Sequence, residues 1–476
     1  MNSPFNEKRY RELLEGLEIS EISFSQLNDE RRIDAEYFSP KNITLASQLI
    51  RFGTFRIMDI ADVTDGIHTS IDYDENSHIN LISATSPREN VFDLSRQVFI
   101  SQKAHKENPR TALKECDVIV STVGTIGNCA VVDQSILPAN SDRHVGIIRI
   151  KEFYSPYVLS TFILSKYGRM QTLRESTGNV QLNLFIYKLK ELLVPSFSCN
   201  IQTKISNGVK TALNIINQAN RLYSEATDLL LEELGMKDWR PNNSQINIKS
   251  LNESFLSSGR LDAEHYQEKY DELEERIKTV PHKTIAEIQQ FNARGVQPDY
   301  VEGGSVSVVN SKHILEDGLD YDNLEHTTEA FLLSQKRAQI GYGDILIYTT
   351  GANIGRTQAY LKRNHALASN HVNILRVRGV NPIYLALVLN SPVGRMQTEK
   401  LCTGSAQAEI YPNDIEKFIV PILDETIQES IAAKVQECFA MKAESKRLLN
   451  VAKEAVEIAI SDSEEKALQF IKESIS

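Results

Sequence analysis

The sequence predicts a mixed α+β (α/β) chain in which two pseudo-repeated domains are separated by two long antiparallel coiled-coil helices, related by a pseudo-two-fold axis. Three observations predict it. Residues 201–235 carry an unbroken four-three alternation of apolar positions, residues 427–456 repeat much of it, and the stretch of about 160 residues before each repeats the same order of strands, turns and helices, a length that fits one domain.

The first seam is Ile205, Val209, Ala212, Ile216, Ala219, Tyr223, Ala226 and Leu230. Asn, Gln, Lys, Thr and Ser lie between, there is no Pro, and Gly235 supplies the stop, so the stretch reads as one amphipathic helix. The second seam begins with the same Ile-Gln pair and continues through Ile431, Val435, Leu449, Ala452 and Val456, with Lys442 and Ser445 as interruptions. Burying the two seams against each other is the simplest arrangement. The chain then divides into an N-terminal helix and arm (1–31), a first repeated domain (32–197), a central long helix (198–240), a connector with the second repeated domain (241–422) and a C-terminal long helix (423–476).

Within the repeat, Asp34-Ala35-Glu36-Tyr37-Phe38 returns as Asp262-Ala263-Glu264-His265-Tyr266. A β-branched run from Asp117 to a turn at Gly124-x-x-Gly127 returns from Asp344 to Gly351-x-x-x-Gly355, each reading as a buried strand with a tight exit. Arg143-His144-Val145 through Arg149 matches Asn370-His371-Val372 through Arg376, a further strand. Ser155-Pro156 and Asn381-Pro382 each open an apolar helical segment that ends in an identical pentapeptide, Gly168-Arg169-Met170-Gln171-Thr172 and Gly394-Arg395-Met396-Gln397-Thr398. Thr177-Gly178-Asn179-Val180-Gln181 answers Thr403-Gly404-Ser405-Ala406-Gln407, and Val194-Pro195 answers Val420-Pro421. At the N-terminus, Leu13-Leu14-Glu15-Gly16-Leu17 resembles 231–235 and Gln26-Leu27-Asn28 resembles 250–252. Docking of this short helix beside the C-terminal one would make the halves equivalent.

The net charge is −11, but its distribution is uneven. Residues 345–398 hold no Asp or Glu while Arg356, Lys362, Arg363, Arg376, Arg378 and Arg395 fall inside, and Arg88, Arg96, Lys103, Lys106, Arg110 and Lys114 form an earlier basic island. No run approaches a membrane span, and the start is charged rather than signal-like, so a cytoplasmic chain with no membrane contact is expected. Five scattered Cys (116, 129, 199, 402, 438) form no Cys-x-x-Cys pair and argue for reduced thiols without a structural metal.

No catalytic motif recurs in both halves. The glycine turns fit neither G-x-G-x-x-G nor the Walker pattern. Asn381-Pro382-Ile383-Tyr384 misses the second Pro of the amino-methyltransferase loop, and its counterpart is Ser155-Pro156-Tyr157-Val158, so a helix N-terminus explains both. The carboxylates of the Asp-Ala-Glu motifs read as helix caps.

In this doubled order the chain resembles, over residues 32–456, the specificity (HsdS-like) subunit of type I restriction-modification systems, which serve antiviral defence. The resemblance implies two target-recognition domains, each gripping one half of a bipartite site in double-stranded DNA. It implies a chain that is no enzyme and binds no cofactor. S-adenosylmethionine would belong to two modification (methyltransferase) subunits docked on the helices, and ATP and Mg to restriction/translocase subunits. About 30 helical residues at ~1.5 Å each would act as a ruler of roughly 45 Å, or roughly 13 base pairs between half-site centres. Lys103, Lys106, Arg110, Lys362 and Arg363 are candidates for phosphate contact, and Arg88, Arg143, His144, Asn370 and His371 for base reading, with Arg356 a further DNA-binding candidate. The halves differ most between 65–110 and 292–337, which predicts an asymmetric site. Two alternatives stand beside this reading: a coiled-coil scaffold that does not bind DNA, and a DNA adenine methyltransferase acting alone.

Overall fold

A computed structural model describes every residue except 1–5, 28–31, 95, 96, 152, 179, 243, 245, 317, 405–407 and 476, and the backbone alone of Gln26. Of the motifs above, Arg96, Asn28, Asn179 and Ser405, Ala406 and Gln407 lie outside the described residues. The chain forms two compact units, residues 1–215 with 444–476, and residues 216–443. Both divisions fall inside the long helices, Cys199–Glu233 and Glu425–Ser461. Each unit therefore owns half of each helix.

In the first unit the central sheet is antiparallel, in the order Ala61–Asp65, Val145–Ile150, Val118–Ser121 and Cys129–Val131. Its β-branched strands are buried on both faces, and the period of two sorts them. Val118 and Val120 face Leu159 and Phe162 of the Pro156–Leu164 helix, while Ile119 and Ile147 face Ile82 and Ile136 beneath a second sheet. That sheet contains a parallel pair, Ile79–Ile82 with Ala139–Ser141.

The second unit repeats the central sheet strand for strand and the parallel pair of the other sheet, which has four strands here against three in the first unit. Gln289–Arg294, Val372–Val377, Ile345–Tyr348 and Thr357–Ala359 make its central sheet, and Val306–Val309 with Ala366–Ala368 is its parallel pair. Ile345 and Ile347 pack with Tyr384 and Leu385 of the Pro382–Asn390 helix, and Leu346 and Ile374 with Ile340 on the other side.

The identical pentapeptides hold this framework together. A Cβ on Gly168 would lie 2.3 Å from the Phe162 carbonyl oxygen, and one on Gly394 would lie 2.2 Å from that of Leu389, so two helices can turn on each other only at glycine. Gln171 and Gln397 each cap a strand edge by accepting from and donating to one backbone unit, Leu193 at 2.9 and 2.8 Å and Ile419 at 2.7 and 2.9 Å. Thr172 and Thr398 lie against Gly127 and Gly355, whose positive φ and close approach both require glycine. Arg169 and Arg395 reach carboxylates of a neighbouring turn, Glu89 at 3.3 Å and Glu316 at 3.6 Å. The glycine turns are thus strand exits locked by threonine.

A second shared clamp is ionic. Arg149 grips the buried carboxylate of Asp117 with two hydrogen bonds of 2.8 and 2.7 Å, and Arg376 grips Asp344 at 2.6 and 2.7 Å.

Each unit contains an antiparallel helix pair. In the first, Ile201, Ile205 and Val209 pack with Ala452, Ala455, Val456 and Ala459, the Ser198 N–H reaches Glu464 at 2.8 Å, and Ser445 Oγ donates to Ala212 O at 2.7 Å. In the second, Ala226 and Leu230 pack with Ile431, Ala432 and Val435, and Lys434 pairs with Glu225 at 2.7 Å. Full burial of each large seam residue contributes roughly 2 kcal/mol. Ile216, Tyr223 and Leu449 are only half-buried; the other predicted seam positions are buried. The interruptions fit the interface. Ser445 becomes a buried cross-helix hydrogen bond, and Lys442 sets its ammonium 5.9 Å from the Tyr223 ring centroid.

The N-terminal helix differs from the docked position suggested above. Glu7–Leu14 has no buried residue, because Leu13 faces solvent and charged residues dominate the rest. The Glu464–Ile475 helix instead places Ala467 and Ile471 in the first unit's core.

Candidate nucleic-acid interface

In both units four loops meet at one end of the central sheet, and the same backbone hydrogen bonds fix them. In the first unit the Ile67 N–H donates to Ser141 O at 2.8 Å, Thr122 to His144 O at 3.0 Å and Leu184 to Thr122 O at 2.9 Å, while Thr177 and Asn183 exchange bonds of 2.9 and 2.8 Å. In the second, Val296 donates to Ala368 O at 3.2 Å, Thr349 to His371 O at 3.1 Å and Ile410 to Thr349 O at 3.0 Å, while Thr403 and Glu409 exchange two bonds of 2.8 Å. Glycine makes the crossing possible: a Cβ on Gly66 would stand 1.9 Å from Asp142 O, and one on Gly295 would stand 2.1 Å from Ala368 O. The result is one rigid rim, built twice.

His144 and His371 recur on the two rims, but the charged and amide side chains around them differ. In the first unit Asp65 accepts from Arg110 Nη1 at 2.8 Å and lies 2.6 Å from His68 Nε2, while Arg110 also donates to Gly66 O at 3.2 Å. Burial alone would raise the Asp65 carboxyl, but the hydrogen bonds from Arg110 and His68 outweigh it and hold the pKa below its ordinary value. Next to this group Asp142 accepts from the His144 N–H at 2.8 Å, and the exposed Arg143 donates from Nε to His144 Nε2 at 3.3 Å.

The sheet register places Arg294 where the first unit has Asp65: Asp65 pairs with Gly146, and Arg294 with Asn373. Arg294 donates to Ile410 O at 2.8 Å, lies 3.9 Å from Glu409, and holds its guanidinium 4.4 Å from the Tyr411 ring centroid. Asn373 donates to Asn292 at 2.8 Å, and Asn292 donates to Pro412 O at 2.9 Å, so a polar network fills space that in the first unit belongs to Gly146 and Leu189. His371 is exposed and Asn370 half-exposed on the turn of this rim.

The sequence-predicted candidates divide accordingly. Arg110, Arg143, His144, Asn370 and His371 are brought to the rims. Lys103 and Lys106 are exposed on the Gln102–Glu107 helix, whose His105 bonds Asn140, two residues from Asp142; among the described residues neither lysine has an ion-pair partner. Lys362 and Arg363 lie exposed between Thr357–Ala359 and Ala366–Ala368, Lys362 with its ammonium 5.0 Å from the Tyr321 ring centroid. Arg88 and Arg356 stand apart from the rims as described: Arg88 pairs with Asp93 at 3.0 Å on a small hairpin, and Arg356 shares Glu316 with Arg395 at 4.0 Å.

Asp65, His68, Asp142, Arg294, Glu409 and Tyr411 were not singled out by motif. Their one signal is the matched Gly-aliphatic pair, Gly66-Ile67 and Gly295-Val296, directly after a strand in each half. Among the described residues no group of three or more His, Cys, Asp or Glu could hold a metal ion, and no helix is long and apolar enough to cross a membrane.

No protein-family model and no curated protein sequence matches the chain. Solved structures do. The S subunit of a type I restriction-modification system from M. genitalium matches over 86% of this chain and 94% of its own, with 13% identity and a TM-score of 0.43. The HsdS subunit from Thermoanaerobacter tengcongensis matches over 86% and 96%, with 16% identity and a TM-score of 0.28. The type IIG restriction endonuclease BpuSI matches over 36% and 28%, with 7% identity and a TM-score of 0.29.

Proposed function

We propose that the chain is the DNA-recognition subunit of a type I restriction-modification complex and reads an asymmetric bipartite site, one half through each rim. The observation that supports this most directly is a single backbone rim presented twice with opposite chemistry. The divergence falls on hydrogen-bonding groups of the rim, at Asp65 and Arg294, while the glycines, glutamines and aspartates that hold the framework are kept, as two readers of unlike half-sites would require. Hydrogen-bonding side chains on a rigid edge suit base discrimination, where each good pair is worth about 1–3 kcal/mol. Lys103, Lys106 and Arg363, free of ion pairs among the described residues, suit phosphate contact beside them.

In this reading the chain performs no chemistry in the cytoplasm beyond recognition. Two methyltransferase subunits would supply S-adenosylmethionine, and restriction subunits with ATP and Mg would cut. The 35 residues of Cys199–Glu233 correspond to about 52 Å of helix at ~1.5 Å each, which sets the scale of a fixed spacer.

The test is to co-express the chain with the methyltransferase subunit encoded beside it and map methylated adenines in host DNA. A two-part motif with a fixed gap and unlike halves is expected. A perfect palindrome would count against one half-site per unlike rim, and an absence of methylation by an assembled complex would return the scaffold reading.

A further inference from the structure

One turn on each rim can be compared residue for residue. On its near side Asp142 and Ser369 make the same backbone bond, from their N–H groups to Ile82 O at 2.9 Å and to Val309 O at 3.0 Å. On its far side the carbonyls of His144 and His371 accept the same bond, from the N–H groups of Thr122 and Thr349. Between these fixed flanks stands one residue, Arg143 in the first unit and Asn370 in the second, with no insertion in either. The two therefore leave the rim from one backbone position, Arg143 exposed and Asn370 half-exposed.

Arg143 is aimed by its neighbours. Its Nε donates to His144 Nε2 at 3.3 Å, and because a guanidinium only donates, that ring nitrogen is the bare one and the ring proton lies on Nδ1. Nδ1 stands 3.4 Å from Asp142 Oδ2, while Asp142 Oδ1 accepts the His144 N–H at 2.8 Å. This chain from carboxylate to imidazole to guanidinium holds the arginine by its inner nitrogen. Both Nη groups, without a partner among the described residues, are left at the outer end. In the second unit Ser369 stands in place of Asp142, and its buried hydroxyl has no partner among the described residues, so no such chain forms. Asn370 is shorter and has less rotamer freedom to lose, and its amide likewise has no partner among the described residues.

What each turn offers a ligand differs in kind. Two parallel N–H donors match the two acceptors, O6 and N7, on the major-groove edge of guanine, whereas an amide, one donor beside one acceptor, matches N7 and the N6 amino group of adenine. An amide brings no charge to a phosphate, so a position shared by Arg143 and Asn370 suits base edges better than the DNA backbone. Resting on the functional reading above, we propose that these two residues each set one base pair of the target. Arg143 selects guanine·cytosine in the half-site of the first rim, with His144 as its positioning residue, and Asn370 selects adenine·thymine in the half-site of the second.

The test is binding-site selection on the complex purified after co-expression, for the wild-type chain and for Arg143→Asn, Asn370→Arg and His144→Ala. Arg143→Asn is expected to turn a required G·C pair into A·T in one half-site only, and Asn370→Arg to make the reverse change in the other. His144→Ala should lower the preference for that G·C pair about tenfold and leave the second half-site as it was, a split that a general loss of structure would not produce. A two-part motif that stays the same in both exchanges, or changes at a pair of another identity, would overturn the proposal while leaving the recognition reading intact. A wild-type complex that selects no two-part motif overturns both. If an exchange abolishes binding, Arg143→Ala and Asn370→Ala decide. Relaxation at one base pair supports the assignment, and weaker binding to every sequence with a shallower salt dependence gives the side chain to phosphate and overturns it.

Discussion

The two units share a backbone and disagree about what to display on it. Where they agree in sequence, the side chain holds the chain's path: Gly168 and Gly394 at a helix turn, Gln171 and Gln397 on a strand edge, Asp117 and Asp344 under an arginine. Where they differ most sharply, the side chain faces the rim. Asp65 and Arg294 occupy the same register position with opposite charge, and each finds its counter-charge on a different element. For Asp65 the cation comes from Arg110; for Arg294 the anion comes from Glu409 on the Thr403 loop. The ion pair survives with its ends exchanged, so local stability is kept while the surface offered to a ligand is inverted. Exposed cations without an ion pair among the described residues also move, from the Gln102–Glu107 helix in one unit to the turn at Lys362 and Arg363 in the other.

The framework side of this comparison should give the largest effects. Gly168→Ala and Gly394→Ala each force a methyl into a carbonyl oxygen and should destabilise their own unit by about 3 kcal/mol. Calorimetry with hydrogen exchange reads both, and a substitution tolerated in one unit alone would break the equivalence of the frameworks. Next come the rims. Asp65→Ala and Arg294→Ala should each lower affinity for the target DNA roughly tenfold, about 1.4 kcal/mol, and relax sequence preference in one half-site only. Binding-site selection on the complex decides it, and relaxation of both halves by one substitution would dissolve the assignment of one rim to one half.

Ser445→Ala should cost about 1 kcal/mol by removing a buried hydrogen bond across the helix pair, measurable as a lower melting temperature. The smallest effect separates the units by pH. His265 occupies the place of Tyr37, and burial lowers its pKa against a partly opposing bond to Lys400 O; burial also lowers that of His313 in the same unit. The unfolded chain therefore takes up protons first on acidification. The stability tied to these neutral imidazoles is complete above about pH 6.5 and is lost as pH falls below it. Exchange rates at pH 7.5 and 5.5, corrected for intrinsic chemistry, should show the second unit loosening, less so in His265→Tyr; second-unit loosening undiminished in that variant would discount the histidine.

Much of the framework was legible because its constraints are local and occur twice. Seam residues such as Ile205 and Val209 announce themselves by spacing, and the pentapeptide by identity. Ser445 looked like a flaw because a sequence does not reveal that the carbonyl of Ala212 lies 2.7 Å away. The rim was harder to read for a physical reason: apart from the shared His144 and His371, equivalent residues there differ, so repetition hides Asp65 and Arg294 while marking Gly66 and Gly295 behind them. Arg88 and Arg356 entered through the basic islands, and each pairs with a nearby carboxylate, Asp93 and Glu316, as Arg110 does with Asp65.

The helix halves carry one more consequence, for the order in which the protein can be finished. Residues 216–443 form the second unit without interruption, whereas the first needs 444–476 to cover Ile201, Ile205 and Val209. On a ribosome the unit that emerges first is the last to be completed, and its helical face stays bare while the whole of its sibling is translated. A pulse of protease applied to released chains ending at residue 443 should cut near that face and spare the second unit, a difference that disappears when residues 444–476 are present.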